Sequence, residues 1–248
     1  MRLIVCGACG FMGKELLSLC NKGYRGAEIG ARIDIAGGDG ILRSLSELGE
    51  GEGGIVVDFS HHTAIAPLLS EAIRRRLPCV IATTGHTDEE KALIAEASRE
   101  IPVFYSANFS LGVALMAKLV RTVSSFLPES EIEIVETHHN RKLDAPSGTA
   151  LMLADAAAES RPEATVHTGR SGHGKREKNE IGIQSLRYGN VVGIHEVLFS
   201  TGNETITLRH EAHSRALFAQ GAVVAAEFLS GKGAGLYDMK DLMDEEGN

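Results

Sequence analysis

The 248-residue chain has no tryptophan, and aromatic residues make up only 5% of it. Ring platforms of the kind on which single-stranded nucleic acid stacks are therefore scarce. Positive charge is in deficit: 25 Lys and Arg stand against 33 Asp and Glu, a formal net charge of −8. A chain of that sign is ill suited to sequence-independent binding of nucleic acid or of an anionic membrane, a local basic patch aside. Long apolar runs are missing as well. The N-terminal run Leu3–Cys6 is broken by Gly7, too short for a signal-peptide core or a membrane span. The four cysteines, Cys6, Cys9, Cys20 and Cys79, all lie in the first third, a distribution unlike a secreted disulfide framework. These absences predict a soluble, cytoplasmic protein with neither nucleic acid nor membrane as partner. What remains is 43% hydrophobic and 23% charged, an ordinary globular composition with length for one large domain or two small ones.

The first half alternates short β-rich runs with helical patterns. Leu3–Cys6, Ala27–Asp34, Ile55–Asp58, Cys79–Ala82 and Val103–Tyr105 read as strands. Helices between them carry Met12, Leu16, Leu19 and Cys20; Ile65, Leu68, Leu69 and Ile73; and Leu93, Ile94 and Ala97. The run Arg74-Arg75-Arg76 suits the C-terminal dipole of the second, and Thr87 to Glu90 is a capping box for the third. Such alternation implies βαβ units and a Rossmann-like, doubly wound parallel sheet. Residues 111–127 predict a longer helix with Leu111, Leu115, Leu119 and Val123 at i, i+4 steps. Beyond Pro128 come a strand at Glu131–Thr137, a helix at Ser147–Ser160 and a Gly- and charge-rich loop at 167–180. Extended runs at Ile183–Arg187, Val191–Phe199 and Glu204–His210 are joined by Tyr188-Gly189-Asn190 and Thr201-Gly202-Asn203. Read as hairpins, these predict an α+β domain with a mixed, mostly antiparallel sheet. The expected division is 1–109 with 215–248 as a dinucleotide-binding domain, and 110–214 as a substrate-binding and oligomerisation domain.

Two segments carry chemistry. Gly7-Ala8-Cys9-Gly10-Phe11-Met12-Gly13 follows a strand and opens a helix, where glycines permit a tight turn and close approach of a pyrophosphate to free N–H groups. Asp34, ending the next strand, can accept hydrogen bonds from ribose hydroxyls. The GxxGxxG spacing also fits an ordinary strand–helix turn, and Cys6 and Cys9 form a CxxC that admits a redox reading. The second segment is Glu136-Thr137-His138-His139-Asn140-Arg141-Lys142-Leu143-Asp144-Ala145-Pro146-Ser147-Gly148-Thr149-Ala150. Its histidines and cations are concentrated in five residues, and Ser147, Gly148 and Thr149 start a helix whose N–H groups and hydroxyls form an anion cradle. Together they suit a carboxylate-bearing substrate that must also receive a proton. A metal is not expected, since no HExxH spacing accompanies the paired histidines. Ala82-Thr83-Thr84-Gly85 and Ser106-Ala107-Asn108-Phe109 follow strand ends, where backbone groups would face a nicotinamide or merely form turns. His61-His62 reads as a helix entry or ribose-side pair, and His195, His210 and His213 as structural.

With GACGFMG, ATTG, SANFSLGV and ETHHNRKLDAPSGTA on one chain, the sequence resembles the 4-hydroxy-tetrahydrodipicolinate (dihydrodipicolinate) reductase family. The likeness continues through Ile181-Gly182, Val192-Gly193-Ile194-His195 and Phe218-Ala219-Gln220-Gly221-Ala222, essentially the whole chain. It implies reduction of a cyclic dicarboxylate imine by NADH or NADPH, with loss of water, in the diaminopimelate route to lysine. It implies that His138 and Lys142 handle protons, that His139 contacts substrate, and that Gly148 and Thr149 bind a substrate carboxylate. Gly7, Ala8, Cys9, Gly10, Phe11, Met12, Asp34, Ala82, Thr83, Thr84, Ser106, Ala107, Asn108 and Phe109 match cofactor-binding positions, and the assembly implied is a homotetramer joined through the second domain. Ile35 stands where many members carry an arginine for the 2′-phosphate of NADPH, so NADH preference or dual use is expected. Ile194 replaces a frequent Glu, and the Asp34–Asp58 segment is short.

Overall fold

The structure, a computed structural model, describes residues 1–245. In chain order, β1 (Arg2–Cys6), α1 (Phe11–Asn21), β2 (Glu28–Ile33), β3 (Ile55–Asp58), α2 (Ile65–Arg75), β4 (Cys79–Ile81), α3 (Asp88–Ala97) and β5 (Pro102–Tyr105) come first. Then follow α4 (Leu111–Phe126), β6 (Glu131–His138), α5 (Gly148–Ala158), β7 (Thr165–Thr168), β8 (Glu180–Arg187), β9 (Gly193–Ser200) and β10 (Thr205–Ala212). The chain ends with α6 (Ala216–Leu229), β11 (Gly235–Tyr237) and α7 (Met239–Glu245). It divides into two compact units: Met1–Ser110 with the chain from Ala216 onward, and Leu111–Arg215. Among the described residues no helix is long and apolar enough to cross a membrane.

The first unit holds a six-stranded parallel sheet in the order β11-β5-β4-β3-β1-β2. Leu3, Ile4, Val5, Val56, Val57, Val80 and Ile81 are at most 1% exposed, as central parallel strands covered on both faces require. The chain runs from β1 to β2 on one side and then to β3 on the other, so the order reverses between β1 and β3. Their carboxyl ends, Cys6 and Asp58, lie in register, and that crevice is where open α/β sheets bind ligands. The capping box forms in full. The Glu90 N–H donates to Thr87 Oγ1 at 3.2 Å and the Thr87 N–H to Glu90 Oε2 at 2.8 Å.

The second unit holds a five-stranded mixed sheet, β10-β9-β6-β8-β7. The expected hairpin at Thr201-Gly202-Asn203 is present, with β9 and β10 antiparallel. The one at Tyr188-Gly189-Asn190 is not, because β6 lies between β8 and β9, parallel to the former and antiparallel to the latter. With β7 parallel to β8, antiparallel pairing does not predominate. The turn signal was local, whereas insertion of β6 gives hydrogen bonds to both of its edges, which a buried strand needs. The Tyr188–Val191 loop instead crosses the end of β6. The Tyr188 N–H donates to His138 O at 3.1 Å, and the His139 N–H to Val191 O at 2.8 Å.

The face of α4 also differs from expectation. Leu115 and Leu119 are 50% and 42% exposed, while Val113, Met116, Ala117, Val120 and Ser124 are buried. Rows at i, i+4 wind around the helix, and the smaller side chains allow close approach to α5, where Ser124 Oγ donates to Ala157 O at 2.6 Å. Strands β7 and β11 went unread. All four residues of β7 are exposed, so it carries no apolar pattern, and it takes up the start of the expected 167–180 loop.

Candidate active site

In the first unit the glycine turn closes over the carboxyl ends of β1 and β3. Gly7 adopts φ +76°, and a Cβ there would lie 2.4 Å from Phe59 O; at Gly13 it would lie 2.1 Å from Gly7 O. Helix and turn therefore meet backbone to backbone. No side chain caps α1 and no acidic residue occupies its first turn, so its positive end is available to an anion. The Cys9 N–H donates to Asp34 Oδ2 at 2.9 Å, and the Ala36 N–H to Oδ1 at 3.0 Å. An ionised carboxylate has about four acceptor sites, so Asp34 keeps capacity for two ribose hydroxyls while bracing the turn. A cavity of about 590 Å³ opens here, bordered by Gly7, Gly10, Asp34, Ile35, Arg43 and His61 among others. Ile35 is 85% exposed, and Arg43 Nη1 donates to its carbonyl at 3.2 Å. These residues fit a dinucleotide: glycine where a Cβ would block, an uncapped helix, and a carboxylate beside a cavity.

The loops after β4 and β5 leave the same edge of the sheet. Ala82 and Thr84 keep partial or full exposure, but Thr83 is buried and its hydroxyl donates to Asp58 Oδ2 at 2.7 Å. Asp58 Oδ1 also accepts from Ser60 Oγ at 2.5 Å, which ties the loops after β3 and β4 together. Burial pushes the Asp58 carboxyl up, against the hydrogen bonds from Ser60 and Thr83. Ser106 Oγ donates to Asn108 O at 2.9 Å and shapes the next loop. Phe109 is buried against Phe104, and a Cβ at Gly221 would lie 1.7 Å from its carbonyl oxygen. Phe109 and Ala8 are core side chains, so any contact with a cofactor is through backbone. Burial also pushes the Cys6 thiol well up, away from the thiolate character that redox chemistry requires. All four cysteines are free.

In the second unit the His138–Thr149 segment runs from the end of β6 into α5. His138 Nδ1 lies 2.6 Å from Glu136 Oε2. Lys142 Nζ lies 2.9 Å from Asp144 Oδ1 and holds that carboxyl below its usual range. Ser147 caps α5 by accepting the Ala150 N–H at 3.2 Å, and its Oγ is 3.0 Å from His195 Nε2. Ser147 is thus buried and engaged, so it builds the cradle rather than offering a free hydroxyl. Gly148 is exposed and Thr149 half-buried at the helix start. The His139 imidazole is pushed toward its neutral form first by burial, then by the charges of Arg141, Arg215, His138 and Lys142. That is a field suited to an anion.

The sequence assigns no role to Glu136 or Arg187 and points to a structural one for His195. Glu136 and Arg187 form a bidentate pair, with Arg187 Nη1 2.8 Å from Oε2 and Nη2 2.6 Å from Oε1. Burial would raise the Glu136 carboxyl, but hydrogen bonds from His138, Arg187 and Ser185 hold it well below the usual range. His195, read as structural, packs edge-on against His138 with ring centroids 5.1 Å apart. Burial and His138 push it down to about 4, so it is neutral at pH 7. A signal was available for Glu136 alone: it lies two residues before His138 on one strand and therefore on the same face.

A doubly wound parallel sheet with a glycine cradle at its switch point, joined in one chain to a unit rich in proton donors and anion-binding groups, defines a nicotinamide-dependent oxidoreductase. Comparison with known proteins specifies it further. The family description "Dihydrodipicolinate reductase, N-terminus" matches residues 1–109, and "Dihydrodipicolinate reductase, C-terminus" matches residues 112–243. The 4-hydroxy-tetrahydrodipicolinate reductase of Caldanaerobacter subterraneus subsp. tengcongensis is 45% identical over 248 residues, 98% of each chain. That of Clostridium tetani is 40% identical, over 98% of this chain and 97% of the relative. A dipicolinate-bound dihydrodipicolinate reductase from Paenisporosarcina sp. TG-14 superposes with a TM-score of 0.78 at 22% identity, over 96% and 97% of the two chains. The chain belongs to the dihydrodipicolinate reductase family, oxidoreductases that reduce 4-hydroxy-tetrahydrodipicolinate in the diaminopimelate route to lysine.

Proposed function

We propose that the unit from Leu111 to Arg215 binds the dicarboxylate and manages its protons, while the other unit binds the dinucleotide. The observation that carries this reading is the convergence of His138, His139, Lys142 and the N-terminus of α5 on one short segment. A relative's fold holds dipicolinate, a planar dicarboxylate of the same charge. In this reading the first turn of α5, with Gly148 and Thr149, receives one carboxylate, and the cationic surroundings of His139 favour the other. The turn from Gly7 to Met12, Asp34 and the loops at Ala82–Thr84 and Ser106–Phe109 would hold a reduced nicotinamide, which when bound would supply hydride. The 4-hydroxyl leaves as water, and the electron density that the conjugated imine passes to its ring nitrogen on reduction at C4 would meet the Lys142 ammonium, which stabilises or protonates it, with His138 as its partner in proton transfer. Lys142 is paired with Asp144, whose side chain is 59% exposed. Such a pair is weak, so a dianion competes for the ammonium.

Lys142→Ala is expected to lower kcat/KM by about 10²–10⁴-fold, with NADH binding retained, in an assay supplying aspartate semialdehyde, pyruvate and the preceding synthase. Unchanged turnover would overturn the assigned role. NADH is preferred or both cofactors are accepted: Asp34 repels a 2′-phosphate and Ile35 offers it no charge, while Arg32 or Arg43, the latter bordering the cavity, compensates in part. A large kcat/KM preference for NADPH would contradict this. Homotetramer formation through the second sheet is supported by exposed Leu186 and Ile206 at 49% and 39%, and sedimentation gives the mass. A cytoplasmic location is part of the same proposal, and cell fractionation tests it.

A further inference from the structure

Glu136 connects parts of the site that the chemistry needs in fixed relation. Its side chain is wholly buried. Oε2 faces His138 Nδ1 at 2.6 Å and Arg187 Nη1 at 2.8 Å. Oε1 accepts Arg187 Nη2 at 2.6 Å and the Ser147 N–H at 3.1 Å. Paired with a guanidinium, the carboxylate is ionised, and an ionised carboxylate is acceptor-only. The ring nitrogen it faces must therefore carry hydrogen. His138 keeps that hydrogen on Nδ1 whether the ring is neutral or cationic, so Nε2 is the nitrogen that gains and gives up a proton. Gly193, the first residue of β9, lies beside Nε2, where a Cβ would come within 3.0 Å of it. Gly193 is not among the positive-φ glycines, so backbone conformation does not demand glycine there. The same carboxylate also holds the cap residue of α5, and with it the start of the anion cradle.

We propose that Glu136 is a positioning residue of the reaction: it dictates the Nδ1–H tautomer of His138, directs Nε2 to the substrate, and ties the proton donor to the anion cradle. This rests on the reading of His138 as a proton-handling residue. An ion pair serving only to fill the core would need the two Arg187 bonds alone. Here each oxygen spends a further lone pair on a functional element, the relation by which an acidic partner orients a catalytic or metal-binding histidine elsewhere.

The first test needs no variant. Nitrogen-15 shifts of the His138 ring in the intact protein are expected to show hydrogen on Nδ1 and titration at Nε2; the Nε2–H tautomer in the neutral ring would overturn the proposal. The second is Glu136→Gln. One amide oxygen cannot accept from both sides, so its NH₂ must face either His138 or Ser147, each with an Arg187 donor beside it. A fall in kcat of about 10²-fold or more is expected, with the dissociation constant for NADH unchanged and the His138 tautomer mixed or reversed. Wild-type kcat with a displaced tautomer, or lost kcat with the tautomer intact and pyridine-2,6-dicarboxylate bound as before, would refute it. His138→Gln separates the two levels. If that variant turns over normally, the proton-handling reading itself fails. If it is impaired and the Glu136→Gln variant is not, only the positioning role fails. The double variant is expected to be no slower than His138→Gln alone.

Discussion

Replacing Arg187 by methionine removes the guanidinium from Glu136 while keeping a side chain of comparable length. The Glu136 carboxylate is 0% exposed and the Arg187 side chain 18%, so the charge left behind cannot turn to water. Breaking a buried pair from one side typically costs about 3–5 kcal/mol. The Ser147 N–H and His138 Nδ1 remain as donors, which places the expected loss near the lower end, about 3 kcal/mol. At roughly 2–4 °C per kcal/mol for a chain of this size, Tm falls by about 6–12 °C. The pH dependence gives a sharper check. In the wild type the folded-state pKa of Glu136 is depressed, so its contribution to stability is present above the unfolded value near 4.5 and lost as pH falls through the lower folded value. Without Arg187, burial dominates and the folded pKa rises. The unfolded state is common to both proteins, so the variant's deficit is largest at neutral pH and shrinks as pH falls through its own raised folded-state pKa, because the protonated carboxyl needs no counter-charge. Urea unfolding of both proteins at several pH values measures this. A loss below about 1 kcal/mol at pH 7, or a deficit independent of pH, would refute the argument.

Other expectations concern the first unit. Gly13→Ala forces a Cβ to within 2.1 Å of Gly7 O; the contact is backbone, so turn or helix must move, costing about 1–3 kcal/mol and weakening NADH binding in a fluorescence titration. Normal affinity would mean the turn is not the pyrophosphate site. Arg75 donates to Leu48 O at 2.7 Å and to Gly49 O at 3.1 Å, clamping the segment that borders the 590 Å³ cavity. Arg75→Ala should raise the NADH dissociation constant several-fold while leaving dipicolinate affinity unchanged in calorimetry; equal loss of both would indicate general unfolding instead.

Arg74-Arg75-Arg76 reads as a dipole-complementing run, yet Arg75 acts as a tether across 26 residues and Arg76 ends α2 in the left-handed region. Strands β1, β3, β4 and β5 were legible because central strands of a parallel sheet covered on both faces demand apolar runs. The Thr87 capping box was legible because both of its bonds are local. The α4 stripe was misread because leucine spacing does not reveal which side an adjoining helix will take. Strand β7 was invisible because an exposed edge strand has no burial to record in its composition.

Local order decided the chemistry present: a glycine turn after a buried strand, and an imidazole–ammonium segment running into a helix start. These are contiguous in sequence, and their physics is that of free N–H groups and nearby charge, which needs no distant partner. Placement of β6 between β8 and β9 was decided only in three dimensions, since strand pairing depends on which edges remain unsatisfied across the whole sheet. From that placement come the Arg187–Glu136 pair, the His195 ring against His138, and Gly193 beside Nε2. Each partner lies some fifty residues from the segment it serves, and only a folded core too poor in water to stabilise a lone carboxylate brings them together.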